Sequence, residues 1–254
     1  MEQASRKKSI TDFFLFFAET LNELWKIRSN RQVSSVVVIR QILFTGVEAL
    51  PLIGFIALAI GGLVIMQGYA MLSSFGQGIW VHKILAQVVV SELSGIITAL
   101  VVIARSGTAI STELGNMVVS REMNLLKSFG IAPIGYLVVS RIIGVVIAMA
   151  VLTMYFNIIA ILGGWGFSQI FNHLEFSAFM NDFFSVLKLS TVLGSIVKTI
   201  VFGLIIAITA SYQGMSVRHA STEVPQRTIR AVVASIFAII ISDITISWLF
   251  WMFS

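Results

Sequence analysis

The chain has 254 residues, of which 57% are hydrophobic and 11% are charged, and its formal net charge is +5. A soluble domain carries about 25% charged residues, so this composition excludes a soluble protein and predicts an all-α polytopic membrane protein. The absence of cysteine excludes disulfides and thiolate metal sites. The basic residues lie at the edges of apolar runs, so the positive charge does not indicate nucleic-acid binding.

The first predicted element is an amphipathic helix over residues 10–28. Its apolar residues recur at spacings of three and four, among them Phe13, Phe17 and Trp25, while acidic residues fall on the opposite side. Phenylalanine and tryptophan suit the boundary between lipid and water, so we expect this helix to lie in the membrane interface. The alternative is packing on a soluble core, for which the chain offers no candidate.

Five candidate membrane spans follow within residues 43–253, each long enough to cross a hydrocarbon core about 30 Å thick. Proline and glycine interrupt the first of them, which we therefore expect to be kinked or broken, at Pro51, Gly54, Gly61 and Gly62. No linker is evident, so the sequence predicts a single domain over residues 1–254. The predicted spans are residues 43–66, 84–110, 142–162, 189–210 and 231–253.

The distribution of lysine and arginine predicts the orientation. These residues are concentrated before the first span, between the second and third spans, and between the fourth and fifth spans. With five alternating spans, these three segments all fall on the same side of the membrane. We therefore expect a cytoplasmic N-terminus and a C-terminus on the outside.

Several ionisable residues lie inside the apolar runs, and a charge at a helix centre costs roughly 2.5–3.5 kcal/mol on insertion scales. Lys198 and Asp243 fall near the middles of adjacent spans, so an ion pair between them is the cheapest arrangement. Glu92 and Arg105 lie on different faces of one helix, so each needs a partner from elsewhere. A structural pair and a substrate-facing or coupling pair both remain open.

The segment over residues 112–136 has a mixed amphipathic pattern that ends near Gly130 and Pro133. It predicts a helix lying across the cytoplasmic face of the membrane, either as a simple connector or as a docking helix for a partner. Just before it, Gly107, Ser111 and Gly115 form a stripe of small residues. Such a stripe lets another helix approach closely, within one subunit or between two subunits.

No enzymatic constellation is evident. Residues 194–199 lack the glycines of a phosphate-binding loop, so we expect no nucleotide site in this chain. His82, His173 and His219 fall in separate loops, and we expect no metal site. No serine is accompanied by histidine and a carboxylate in a recognisable pattern.

The stretch from Glu92 through residues 104–117 resembles the signature of the permeases of the MlaE/YrbE type, the membrane subunits of ABC transporters that work with MCE-domain proteins. The resemblance covers roughly residue 46 to the C-terminus. It continues at further matching positions, which are Leu126, Pro133, Lys198, Thr199, Ile200, Val201, Phe202, Gly214, Arg227, Thr228, Asp243 and Thr245.

This resemblance implies a homodimer in the bacterial inner membrane, a cytoplasmic ABC ATPase that binds ATP and Mg²⁺, and a periplasmic MCE-domain partner. The cargo would be phospholipid or a related lipid moving between the inner membrane and the outer envelope. Glu92, Lys198, Asp243 and Arg105 would supply cavity or coupling charges. The residues implied in coupling to the ATPase are Glu113, Met117, Arg121, Glu122, Leu126 and Pro133.

The chain departs from better-known members at three positions. Ser91 stands where they have arginine before the residue matching Glu92, Arg121 where they have glutamate, and Ala132 where they have aspartate before the residue matching Pro133. The first change alters possible headgroup contacts, and the others alter the charge of the surface that faces the ATPase. The alternative function is a secondary transporter that uses Glu92, Lys198 and Asp243 as a proton or ion relay.

Overall fold

The computed structural model describes residues 2–25, 35–72, 84–171, 175–187, 189–218 and 220–253. Within these ranges the backbone forms helices joined by short turns, and no strand occurs there, which confirms the all-α prediction. The α-helices are α1 Glu2–Trp25, α2 Ser35–Gly46, α3 Leu50–Leu72, α4 Ser94–Val102, α5 Thr108–Val119, α6 Glu122–Ser128, α7 Val139–Phe171, α8 Phe176–Val186, α9 Leu189–Met215 and α10 Glu223–Phe253.

Short 3₁₀-helical or π-helical segments join some of these α-helices without a break. A 3₁₀ turn, Val47–Ala49, leads into α3. Three π-helical segments, Leu85–Leu93, Ile103–Gly107 and Ile134–Val138, precede α4, α5 and α7. Such segments insert an extra residue into the helical turn and are frequent at functional sites.

Among the described residues, five helical stretches are long and apolar enough to cross a membrane, in agreement with the predicted number of spans. The second span ends at Val119 rather than at residue 110, so residues 112–119 belong to a span helix and not to the predicted loop. Burial of Leu114 and Gly115 on the face of this helix explains the extension. The five stretches are Val36–Gly68, Gln87–Val119, Ile134–Ile170, Thr191–Met215 and Glu223–Phe250.

The first span changes to a 3₁₀ turn just before Pro51, whereas α3 continues through Gly54, Gly61 and Gly62 without a break. A kink at these glycines stays a prediction. Pro51 is the second residue of α3, where its missing N–H costs little. A Cβ on Gly61 would overlap the carbonyl oxygen of Ala160, and one on Gly163 would come within 2.9 Å of the carbonyl oxygen of Leu58. These glycines let α3 and α7 meet backbone to backbone.

The N-terminal helix α1 confirms a helix over residues 10–25, whereas residues 26–28 of the predicted element lie outside the described part of the chain. Phe13 packs edge-on against Tyr212 with ring centroids 5.1 Å apart, and Phe16 approaches the same ring at 5.5 Å. On the other side, Phe14 and Trp25 are exposed. The exposed aromatics fit an interfacial helix, whose depth in the membrane stays a prediction.

Residue contacts divide the chain into two compact units. Unit one comprises Met1–Thr45, Val102–Ile147 and Gly203–Ala238, and unit two comprises Gly46–Val101, Ala148–Phe202 and Ile239–Ser254. The core of unit one includes Ile110, Leu114 and Ile142, and that of unit two is rich in phenylalanine. One permease domain over residues 1–254 stays a prediction.

Candidate functional site

Three ionisable side chains of unit two form one cluster, called here the charged triad: Glu92, Lys198 and Asp243. The Lys198 Nζ lies 2.5 Å from Glu92 Oε2 and 3.0 Å from Asp243 Oδ1. The Lys198 side chain is 5% exposed and that of Asp243 13%, whereas that of Glu92 is 39% exposed. The Lys198–Asp243 pair predicted from the sequence is confirmed, and Glu92 joins it.

Three different segments position the triad. Glu92 lies on the π-helical segment Leu85–Leu93, Lys198 on α9 and Asp243 on α10. Ser247, one turn after Asp243, donates a hydrogen bond to Glu92 Oε2 at 3.3 Å. The Ser91 hydroxyl is shared between the Gln87 carbonyl at 2.5 Å and Glu92 Oε1 at 3.1 Å. Both carboxylate oxygens of Glu92 therefore accept hydrogen bonds inside the unit.

The charges of the triad do not cancel when all three groups are ionised. Two carboxylates face one ammonium group, so the cluster carries a net charge of −1. Lys198 is compensated twice, which offsets the cost of burying it. Glu92 is the most exposed member of the triad. Its carboxylate can therefore accept a charge-assisted hydrogen bond from a polar group outside the triad.

Neutral polar side chains extend the polar interior of unit two beyond the triad. Thr199, next to Lys198 in the chain, lies 3.4 Å from the hydroxyl of Thr153. The side-chain oxygens of Thr98 and Asn157 are buried without a hydrogen-bond partner among the described residues. Because a buried polar atom without a partner is costly, these oxygens suit contact with water or with a polar group of a ligand.

Arg105, the fourth predicted cavity or coupling charge, belongs to unit one. It lies on the π-helical segment Ile103–Gly107, and its guanidinium carbon stands 5.8 Å from the centroid of the Phe44 ring. This geometry allows a cation–π contact. That Arg105 supplies a cavity or coupling charge stays a prediction.

The predicted coupling residue Glu113 forms an ion pair with Arg141. Glu113 Oε2 lies 2.8 Å from the Arg141 guanidinium, and the two side chains are 61% and 4% exposed respectively. Arg141 also donates from Nη1 to the carbonyl of Leu137 at 3.1 Å. Since Glu113 lies on α5 and Arg141 on α7, the pair connects the two helices that flank the predicted coupling segment.

The connecting segment between these helices is shorter than the sequence predicted and contains one short helix, α6. Arg121 precedes it in the left-handed region with φ of 61°, and Gly130 follows it with φ of 72°. Arg121 and Glu122 are exposed, whereas Met123, also on α6, is buried. The segment is thus a helix bounded by two left-handed turns.

The remaining predicted coupling residues differ in exposure. Pro133 is buried at the start of the next helical stretch, and Met117 and Leu126 are half-buried. Leu125 and Phe129 belong to the amphipathic pattern of this segment but not to the predicted coupling residues, and the structure leaves both exposed on and just after α6. Exposed apolar residues beside exposed charges are the more suitable anchors for a partner protein.

The stripe of Gly107, Ser111 and Gly115 packs within the subunit. A Cβ on Gly107 would stand 3.5 Å from Ile206, and one on Gly115 would stand 3.2 Å from Val217 and Val224. Gly214 of α9 allows the same close approach from the other helix, since a Cβ there would lie 2.6 Å from the carbonyl oxygen of Ser111. Of the two predicted uses of the stripe, close packing inside one chain is the one observed.

The described residues contain no group of three histidine, cysteine, aspartate or glutamate side chains that could hold a metal ion. The three histidines of the sequence, His82, His173 and His219, lie outside the part of the chain that the structure describes.

Comparison with known proteins agrees with this architecture. The family described as Permease MlaE matches residues 38–249. A probable ABC transporter permease of Rickettsia felis is 29% identical over 96% of this chain and 92% of its own length, and one of Synechocystis is 31% identical over 69% and 66%. The intermembrane phospholipid transport system permease MlaE of Haemophilus influenzae is 26% identical over 78% and 76%. The chain is therefore an ABC transporter permease and belongs to the MlaE family, as its signature stretch predicted.

Proposed function

We propose that this chain is the membrane subunit of an ABC transporter that moves phospholipid or a related lipid between the bacterial inner membrane and the outer envelope. The observation that carries the proposal is the charged triad, in which one ammonium group and two carboxylates meet inside unit two and one of the carboxylates is partly exposed. Lipid-binding cavities are mostly apolar with few polar groups. The phospholipid transport named for the Haemophilus influenzae relative supports the same cargo class.

In this mechanism the triad holds three helices in register around the lipid. Lys198 fixes the carboxylates of Glu92 and Asp243, and the exposed side of Glu92 contacts polar groups of the cargo. Movement of any one of the three helices changes the distances to Lys198, so binding of cargo and helix arrangement are linked. Asp243 acts as a positioning residue because it reaches the cargo only through Lys198.

The energy would come from a cytoplasmic ATPase, with ATP and Mg²⁺ bound by that partner and not by this chain. Its docking surface would be α6 with the exposed residues Arg121, Glu122, Leu125 and Phe129. The ion pair between Glu113 and Arg141 would pass the movement of α6 to the span helices. The permease would then be a transport subunit without enzymatic activity of its own.

The same proposal includes a second copy of this chain and an MCE-domain partner on the periplasmic side. The face of α10 opposite Asp243 supports the pairing of two copies, since Phe237, Ile241 and Ile244 are all exposed there. An exposed apolar helix face that continues past a buried charge suits contact with another helix as well as with lipid. The N-terminus would lie in the cytoplasm and the C-terminus in the periplasm.

The test is reconstitution in liposomes with and without the ATPase that co-purifies from native membranes. We expect lipid movement only when the ATPase and ATP are both present. Asp243→Asn should lower transport while the complex still assembles, whereas Arg230→Gln, at an exposed position of α10, should leave transport unchanged. Lipid or ion movement by the chain alone would contradict the proposal and would favour the secondary transporter.

A further inference from the structure

Unit one contains a cavity of about 510 Å³ that shares no residue with the charged triad. Its walls come from α2, α5 and α7 together with the π-helical segment before α7. Most of the lining is apolar, with Val36, Phe44 and Ile110 among the contributors. A cavity of this size lies in the range of small-molecule sites.

The polar lining of the cavity has an excess of positive charge. Arg40 and Arg141 both line it, against the single carboxylate of Glu113, so the ionised groups sum to +1. Gln41 and Tyr136 add neutral hydrogen-bonding groups. A guanidinium group recognises phosphate because it carries several N–H donors in a planar fork, and two such groups line this cavity.

One of the two positive charges, that of Arg141, is buried in the cavity wall. Its side chain is 4% exposed, and its Nε is buried without a hydrogen-bond partner among the described residues, although Nη1 and Nη2 have partners. Arg40, by contrast, is exposed at the edge of the cavity. A buried cation that is incompletely satisfied beside an exposed cation favours an anionic ligand that enters from the surface.

The surroundings indicate that the ligand is an amphiphile. Val36 and Ile39, on α2 beside Arg40, are exposed, as is Leu43 one turn further on. An exposed apolar stripe on a span helix is normally covered by acyl chains. We propose that this cavity binds the anionic headgroup of a glycerophospholipid, with the phosphate between Arg40 and Arg141 and the acyl chains along α2. The inference does not rest on the transport function, because binding here needs no movement of lipid.

The experiment uses the full chain in detergent micelles doped with phosphatidylglycerol or with phosphatidylcholine of the same acyl chains. Bound lipid is counted by native mass spectrometry, and a phosphatidylglycerol probe with a headgroup photocrosslinker maps the site. We expect phosphatidylglycerol to bind at least about tenfold more tightly than phosphatidylcholine. Crosslinks should fall on peptides that contain Arg40 or Tyr136.

Arg40→Gln should lower phosphatidylglycerol binding about tenfold and Arg40→Lys should restore part of it, because lysine keeps the charge but loses the fork. Arg230→Gln, which removes an exposed charge elsewhere in unit one, is the matched control and should bind like the unaltered chain. Unchanged binding by Arg40→Gln, equal losses in both variants, or full competition by millimolar inorganic phosphate would each overturn the proposal. Arg40 is exposed, so its variants test the site even if Arg141→Gln fails to fold.

Discussion

Replacing Lys198 by methionine tests whether the charged triad holds unit two together. Methionine keeps most of the length and apolar volume of lysine but removes the ammonium group that contacts both Glu92 and Asp243. The facing oxygens of these two carboxylates lie within about 5.5 Å of each other, because both contact the same nitrogen. Two unit charges at that separation repel by about 3 kcal/mol at an effective dielectric constant of 20.

We therefore expect Lys198→Met to lower the free energy of unfolding by about 3 kcal/mol at neutral pH, in line with the loss seen when one partner of a buried pair is removed. For a chain of this size that corresponds to a fall of about 6–12 °C in the unfolding midpoint. The measurement is thermal unfolding of the purified protein in nanodiscs, followed by tryptophan fluorescence.

Two further variants make the result specific to the triad. Lys198→Met combined with Asp243→Asn leaves one carboxylate, the more exposed Glu92, and should recover at least half of the lost stability. Lys127→Met, at an exposed lysine of α6, should change the unfolding free energy by no more than about 0.5 kcal/mol. The reasoning is refuted if Lys198→Met unfolds like the unaltered chain, or if the double variant is less stable than the single one.

Three other outcomes follow from the described contacts. Gly61→Ala should reduce the yield of folded protein because its Cβ overlaps the Ala160 carbonyl, whereas Gly166→Ala, with open space around it, should be neutral or slightly stabilising in size-exclusion and thermal assays. Glu113→Gln should cost about 1–2 kcal/mol of stability by leaving buried Arg141 without its carboxylate, and an unchanged midpoint would argue against the ion pair. Phe129→Ser should weaken ATPase co-purification without a change in the unfolding midpoint, and normal recovery of the ATPase would contradict the proposed docking surface.

Much of the fold follows from the sequence because hydrocarbon imposes strict conditions on a membrane chain. Five apolar stretches of sufficient length predict five spans, and the cost of isolated charges predicts the Lys198–Asp243 pair. The participation of Glu92 is harder to predict, because the π-helical segment that carries it changes which face of the helix points inward. A strictly α-helical register gives a different direction for this side chain.

The boundaries of the coupling segment show a second limit of sequence reasoning. Arg121 adopts a left-handed conformation that is uncommon for a residue other than glycine, and nothing in the local sequence marks it as the end of a helix. The turn at Gly130 is predictable, since glycine adopts this conformation freely. The exposure of Leu125 and Phe129 depends on tertiary packing around Met123, which periodicity alone does not determine.

The backbone contact between α3 and α7 has a mechanical consequence for the transport cycle. At Gly61 and Gly163 no side chain separates α3 from α7. Sliding or rotating one helix against the other would therefore bring main-chain atoms into collision. We expect α3 and α7 to move as one rigid body. The rearrangements that expose cargo should then occur in the helices that carry Glu92, Lys198 and Asp243. Spin labels at exposed Phe55 and Val151 would then keep a constant separation while the transporter turns over.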